Sequence, residues 1–202
     1  ARVRLKKHDK VNGESGQSAF LFGLSYHVEK RYGEAMPHYE KALELAPEYV
    51  TTHYFKGWGH YYLGDLEAAR ASFDTHLTYD PDAWDTHFGL GLVELDENEL
   101  VAALARFERT LELQPDGTTG ADRSKVHTRL ADVHLAANQL DDARDQLDEA
   151  IAHMPQNGEA AYKRYRLLLR LGEDGAAAQA QAEYEAITGS ALPTEPATGD
   201  RP

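Results

Sequence analysis

The chain has 202 residues, 21 Lys and Arg against 34 Asp and Glu, a formal net charge of −13, and no cysteine. The acidity excludes a general nucleic-acid binder, which needs a basic surface to neutralise phosphates. The lack of cysteine excludes disulfides, thiolate metal sites and a cysteine nucleophile, and no apolar run approaches the roughly 18 residues of a membrane-spanning helix. The length is enough to bury a core. Ala1 stands first, no signal-peptide pattern follows it, and the absence of cysteine leans towards an exported (periplasmic or extracellular), processed chain, or else towards a fragment.

Taken in chain order, residues 1–12 carry five basic side chains and one acidic. They read either as half of a repeated unit, with Leu5 and His8 on apolar columns and Gly13 at its end, or as a basic flexible arm. From there on the chain repeats itself. Pro47, Pro81 and Pro115 lie 34 residues apart, and Pro155 follows after 40. An alanine precedes each proline by 12 residues, at Ala35, Ala69, Ala103 and Ala143, and Ala177 continues the series. Further columns share the period: Gly23, Gly57, Gly91, Ala131 and Tyr165, then Tyr39, Phe73, Phe107, Leu147 and Gln181. Several independent columns on one period predict a stack of repeated units.

Each unit reads as two short helices, because apolar residues recur at helical spacing in segments such as 84–97 and 99–113. Between the two helices lies a turn column of Lys30, Gly64, Asn98, Asn138 and Gly172. Gly and Asn there suit the left-handed conformation that ends a helix. The glycine column inside the first helix is expected to let a neighbouring helix approach closely, at a propensity cost of ~1 kcal/mol. The prolines end second helices, because the residue before a proline avoids helical backbone. Pro37 is placed in the first turn of a helix, where a missing N–H costs nothing. Residues 118–123 form a six-residue insertion that lengthens a loop or adds a turn to the next helix. The last helix, around 175–187, is rich in Ala, Gln and Glu and suits a solvated cap. The tail 188–202 reads as disordered or extended.

These columns resemble the tetratricopeptide repeat (TPR), a 34-residue helix–turn–helix with two small-residue columns, an aromatic in the second helix and a closing proline. The unit at 16–49 carries Gly23-Leu24-Ser25-Tyr26, Ala35, Tyr39, Ala42 and Pro47. The unit at 50–83 carries Gly57, Leu63-Gly64-Asp65, Ala69, Phe73 and Pro81. The likeness continues through 84–117 and 124–157 and weakens in 158–187, where Tyr165 replaces the small residue. The resemblance implies an all-α fold, a right-handed α-solenoid of stacked antiparallel helix pairs over 16–187, flanked by the basic segment 1–15 and the tail 188–202. It says little about chemistry.

Signals for catalysis are weak. Gly57-Trp58-Gly59 and Gly89-Leu90-Gly91 are incomplete dinucleotide motifs, with Tyr62 and Glu94 at the last position and no preceding strand. His53, His87 and His127 share one column, and His60 and His134 share another seven residues on, where Glu94 is the third member. Residues seven apart on a helix stand roughly 10 Å apart, so one helix cannot bring them to one ion. These imidazoles read as polar substitutes for aromatic residues. Acidic pairs such as Asp141-Asp142 open second helices, where they complement the dipole. No cofactor, no metal and no enzymatic activity are expected.

The resemblance places the binding surface on the concave face formed by the first helices. Its groove columns fall on Gln17, Phe20, Leu24 and His27, then on Thr51, Tyr54, Trp58, Tyr61 and Tyr62. They continue at Asp85, Phe88, Leu92 and Leu95, at Lys125, Arg129, Asp132 and Leu135, and at Tyr162, Lys163, Arg166 and Arg170. The N-terminal part is aromatic and the C-terminal part basic. The chain shows the same split: of its 19 aromatic residues, 16 fall at or before Phe107. The expected function is a non-catalytic scaffold or adaptor binding a partner segment with apolar or aromatic and acidic residues. Some TPR co-chaperones hold a C-terminal carboxylate with a Lys/Asn/Lys/Arg set. Lys125 and Arg129 resemble its second half, but Tyr54, Trp58 and Gly89 stand where the first half is needed, so that ligand is rejected. The alternative is a structural subunit stacking end to end into a homo-oligomer or filament, through the half-repeat at 1–12.

Overall fold

The structure, a computed structural model, describes residue 3 and residues 13–192. The reading of 1–12 as half a repeat or an arm, and that of the tail beyond 192, lie outside the described residues, Val3 apart. Ten helices and no strand lie within residues 13–192. They are α1 (Gly16–Val28), α2 (Tyr32–Leu45), α3 (Thr51–Tyr62), α4 (Leu66–Tyr79), α5 (Trp84–Asp96), α6 (Leu100–Leu113), α7 (Gly120–Ala136), α8 (Leu140–His153), α9 (Gly158–Arg170) and α10 (Asp174–Thr188). They pair in sequence as five hairpins, α1 with α2 through to α9 with α10.

Local chemistry sets the boundaries. Ser15 caps α1 in a reciprocal bond with Ser18, and Asp65, Thr119 and Asn157 cap α4, α7 and α9 by accepting a backbone N–H three residues on. All five turn-column residues are left-handed: φ is 59° at Lys30, 79° at Gly64, 60° at Asn98, 59° at Asn138 and 74° at Gly172. The turn geometry is thus common to all five hairpins, and Lys30 adopts it without glycine's freedom.

The chain divides into two compact units between Leu113 and Gln114, just before the insertion. The insertion ends the 34-residue register: Thr119 caps the helix, and Gly120–Arg123 extend α7 by about one turn. Pro37 also differs from expectation. It is the sixth residue of α2, beyond the free N–H groups, so the Gly33 carbonyl lacks its helical partner. Both residues face solvent, where water can serve that carbonyl.

Each hairpin of the first unit closes around one ring. A Cβ at Gly23, Gly57 or Gly91 would lie 2.5 Å from Tyr39, 2.5 Å from Phe73 or 2.7 Å from Phe107. The three rings are fully buried, and so are Ala35, Ala69 and Ala103 beside them. Glycine is therefore required by the second helix of the same repeat, whose ring lies on its backbone. In the second unit the pair is Ala131 and Leu147, both fully buried. There Ser124 donates to the Ala150 carbonyl at 2.6 Å, and Asn157 Nδ2 donates to the hydroxyls of Ser124 and Thr128.

Two stability predictions come from these contacts. Gly57→Ala drives a methyl into Phe73 and is expected to cost ~1–3 kcal/mol, recovered in part by Phe73→Leu in the same chain. Denaturant unfolding of the single and double variants measures it. The Tyr39 hydroxyl is buried without a hydrogen bond, where Phe73 and Phe107 have none to satisfy. Tyr39→Phe is expected to raise stability by about 1 kcal/mol, read as a higher thermal midpoint.

Candidate functional site

In the first unit the candidate face lies on α1, α3 and α5. These helices touch one another across repeats, α1 on α3 and α3 on α5. The predicted residues fall at three depths. Phe20 is only 7 % exposed and belongs to the core with Ala19, Ala35, Met36, Tyr39 and Ala42, its ring edge-on to Tyr49 at 5.2 Å and Phe55 at 5.5 Å. It is a packing residue, and the groove assignment is corrected there: Tyr49 at the end of its own repeat and Phe55 of the next repeat cover it. Leu24 packs half-buried against the same core. His27 is wedged between Tyr32 at 4.9 Å and Phe55 at 5.5 Å, and burial holds its pKa below the ordinary value.

The middle layer is aromatic. Trp58 meets the buried Phe73 edge-on at 5.5 Å and lies within 6.4 Å of Tyr54, Tyr61, Tyr62 and Phe88. Phe88 in turn packs on Phe107 at 5.6 Å. Tyr54, Trp58 and Tyr61 line the core of Phe73, Leu90 and Val93 from outside, so these side chains are half core and half surface. Burial, and then the carboxylate of Asp85, push the Tyr54 phenol up. Leu92 and Leu95 are half-buried, and Gln17 and Thr51 are exposed. The outermost ring is Tyr62, 53 % exposed and stacked on Tyr32 at 4.6 Å. Tyr32 opens α2 and was not a predicted site residue.

In the second unit the face lies on α7 and α9. Arg129 donates to Asp132 at 2.7 Å and to Glu159, while Lys163 pairs with Asp132 and, at 3.0 Å, with Glu159. The four charges form a closed, self-neutralising ring, so Arg129 and Lys163 do not supply the free positive charge that their columns imply. Burial pushes the Glu159 carboxyl up, but the bond from Lys163 and the charge of Arg129 outweigh it and hold the pKa below its ordinary value. Lys125 is exposed, 3.5 Å from Asp122.

The remaining cations border a hollow. Leu135, Tyr162, Lys163, Arg166, Leu167, Leu169 and Arg170 line an open depression of about 620 Å³. Arg170 donates to the neutral amide of Asn138, and Arg166 to the Tyr162 hydroxyl at 3.3 Å. Its apolar lining is the buried Leu167, the half-buried Leu135 and the exposed Leu169, beside the guanidiniums of Arg166 and Arg170. Leu167 and Leu169 were not predicted; they sit in a Leu-Leu-Leu run that the columns treat as core.

Family models described as tetratricopeptide repeat match residues 16–49, 56–118 and 94–164. The chain belongs to the tetratricopeptide repeat family. The crystal structure of the APC/C hetero-tetramer Cut9-Hcn1 contains a chain that superposes with a TM-score of 0.79 at 18% identity, over 95% of this TPR chain and 37% of that one. YrrB, described as a TPR protein with an unusual peptide-binding site, superposes with a TM-score of 0.68 at 19% identity, over 92% of this chain and 93% of YrrB. Among curated proteins, the Protein CTR9 homolog of Arabidopsis thaliana is 26% identical over 136 residues, which are 65% of this chain and 12% of that protein. The fold is thus the all-α TPR solenoid. No helix among the described residues is long and apolar enough to cross a membrane.

The charge ring of the second unit has a pH signature. Because the folded pKa of Glu159 is depressed, its contribution is complete above the ordinary carboxylate range and is lost as pH falls through the lower folded value. Between pH 5 and pH 3, thermal midpoints are expected to fall less steeply in Glu159→Gln than in the parent chain.

Proposed function

We propose that this TPR chain is a non-catalytic scaffold that binds a segment of another protein. The face of the first unit takes apolar or aromatic side chains and that of the second takes an acidic group. TPR proteins in general mediate protein–protein interaction, and YrrB is a TPR protein described by its peptide-binding site. The observation that carries the finer reading is the hollow of the second unit, lined by Arg166 and Arg170 together with Leu135, Leu167 and Leu169. Arginine beside apolar surface is the combination that holds a carboxylate and the side chain next to it. In the first unit, stacked and half-exposed Tyr62 offers a rigid aromatic surface of the kind that dominates interface energies.

End-to-end stacking is the competing reading. It depends on residues 1–12, of which only Val3 is described, and no observation in the described residues favours it.

An array of peptides varied in acidic and aromatic content tests the proposal. Arg170→Glu is expected to weaken binding of acidic peptides at least tenfold, ~1.4 kcal/mol or more, and Tyr62→Ala to weaken aromatic ones, with helical content unchanged. Trp58 is a poorer probe, because its removal also uncovers Phe73. If neither variant changes the binding pattern, the reading fails. Sedimentation that shows mass growing with concentration supports stacking instead.

A further inference from the structure

We infer that the second unit carries a site for a divalent transition-metal ion of the zinc class, built by His127 of α7 and by Glu149 and His153 of α8. One donor atom from each residue lies within 4.8 Å of the other two. In a tetrahedral zinc site with bonds of ~2.0–2.1 Å, donors stand roughly 3.3 Å apart. Closing that gap asks the three side chains to rotate towards one ion. The imidazoles of His127 and His153 lie close, with ring centres 5.3 Å apart and planes at 17°, and because their lone pairs lie in the ring planes one ring turns to share an ion. Glu149 and His153 are four residues apart on one helix, which puts them on one face.

The proton on His127 is in the right place for ligation. Its Nδ1 lies 2.8 Å from Gln146 Oε1. An amide oxygen only accepts, so Nδ1 carries the hydrogen and Nε2 presents its lone pair. A hydrogen bond from the other ring nitrogen is the usual companion of a metal-bound imidazole.

The backbone beneath is fixed. Gly120 packs so closely on the His153 carbonyl that a Cβ would lie 2.3 Å from it. Ser124 and Thr128, on either side of His127, are tied to Ala150 and Asn157. The repeat supplies its own controls. The equivalent positions are His53, Thr75 and Tyr79 in the second repeat, and His87, Arg109 and Leu113 in the third. Neither set offers three donors. Two imidazoles and a carboxylate suit zinc and its neighbours better than calcium or magnesium, which prefer oxygen alone. Three protein donors leave a position for water, and the bound ion would staple α7 to α8. The absence of metal expected from the sequence rested on histidine spacing along single helices; this set is drawn from two.

Tag-free protein stripped of metal and titrated with zinc chloride in a calorimeter is expected to bind one equivalent at this site, with a higher thermal midpoint when loaded. Cobalt in its place is expected to give the intense visible absorption of four-coordinate geometry. His153→Ala and Glu149→Gln, both at the surface, should each lower affinity at least tenfold. Gln146→Ala should lower it roughly tenfold through His127, and His53→Ala should leave it unchanged. Absence of saturable binding, or an affinity that survives in both His153→Ala and Glu149→Gln, overturns the site.

Discussion

The fold of the first unit depends on a contact between a ring and a bare backbone. Gly23, Gly57 and Gly91 let Tyr39, Phe73 and Phe107 lie against the first helix of their own hairpin, where any Cβ would collide. Close packing follows: the ring fills the hairpin, the small Ala column lets it in, and neither can change alone. The aromatic face is the next layer outward. Trp58 sits edge-on to Phe73 and Phe88 against Phe107, so what a partner would touch is the outside of a stack whose inside holds the repeat together. The second unit shows the converse. Its first hairpin holds Ala131 and Leu147, which offer no ring to build on, and the face above them is made of charge.

Charge on that face has to be counted in pairs. The groove columns of α7 and α9 hold five cations, yet Arg129 and Lys163 are consumed by Asp132 and Glu159. Arg170, at the C-terminal end of α9, donates instead to the neutral amide of Asn138. The first unit handles an ion pair differently: Glu94, 3 % exposed, lies 3.2 Å from Arg106 and 3.5 Å from Arg70. Burial raises its pKa more than the two guanidiniums lower it, which marks a charge held by the fold and barely stabilised in it.

The period, the five hairpins and the turn column were legible in the sequence, because each follows from spacing within one repeat; the glycine column was expected to admit a neighbouring helix, and the ring that lies on it is a finding of the structure. What lay beyond reach depends on neighbours. Phe20 and Tyr62 both stand on groove columns, but Tyr49 of the same repeat and Phe55 of the next bury the first, while Tyr62 is left half-exposed on Tyr32. Pro37 looked harmless because a helix start is uncertain by a turn, and one turn separates a free N–H from a needed one. The division at Leu113 was invisible for a related reason: an insertion shows its length in sequence but not which contacts it interrupts.

The histidine column shows why period alone cannot assign chemistry. His53 stacks on Tyr79 with ring centres 6.4 Å apart. His87 has both nitrogens engaged, Nε2 on the Pro81 carbonyl and Nδ1 facing Arg106. A carbonyl accepts and a guanidinium donates, so Nε2 is turned to the carbonyl and the Nδ1 lone pair to Arg106, and neither is turned to a second imidazole. His127 is held on one side only, by Gln146, and looks towards His153. One position in the repeat therefore serves as packing, as a hydrogen-bond bridge and as a potential ligand. The residue is the same each time, and what differs is the partner that the second helix happens to supply. Repetition fixes where a side chain stands, and the unrepeated residues around it decide what it does.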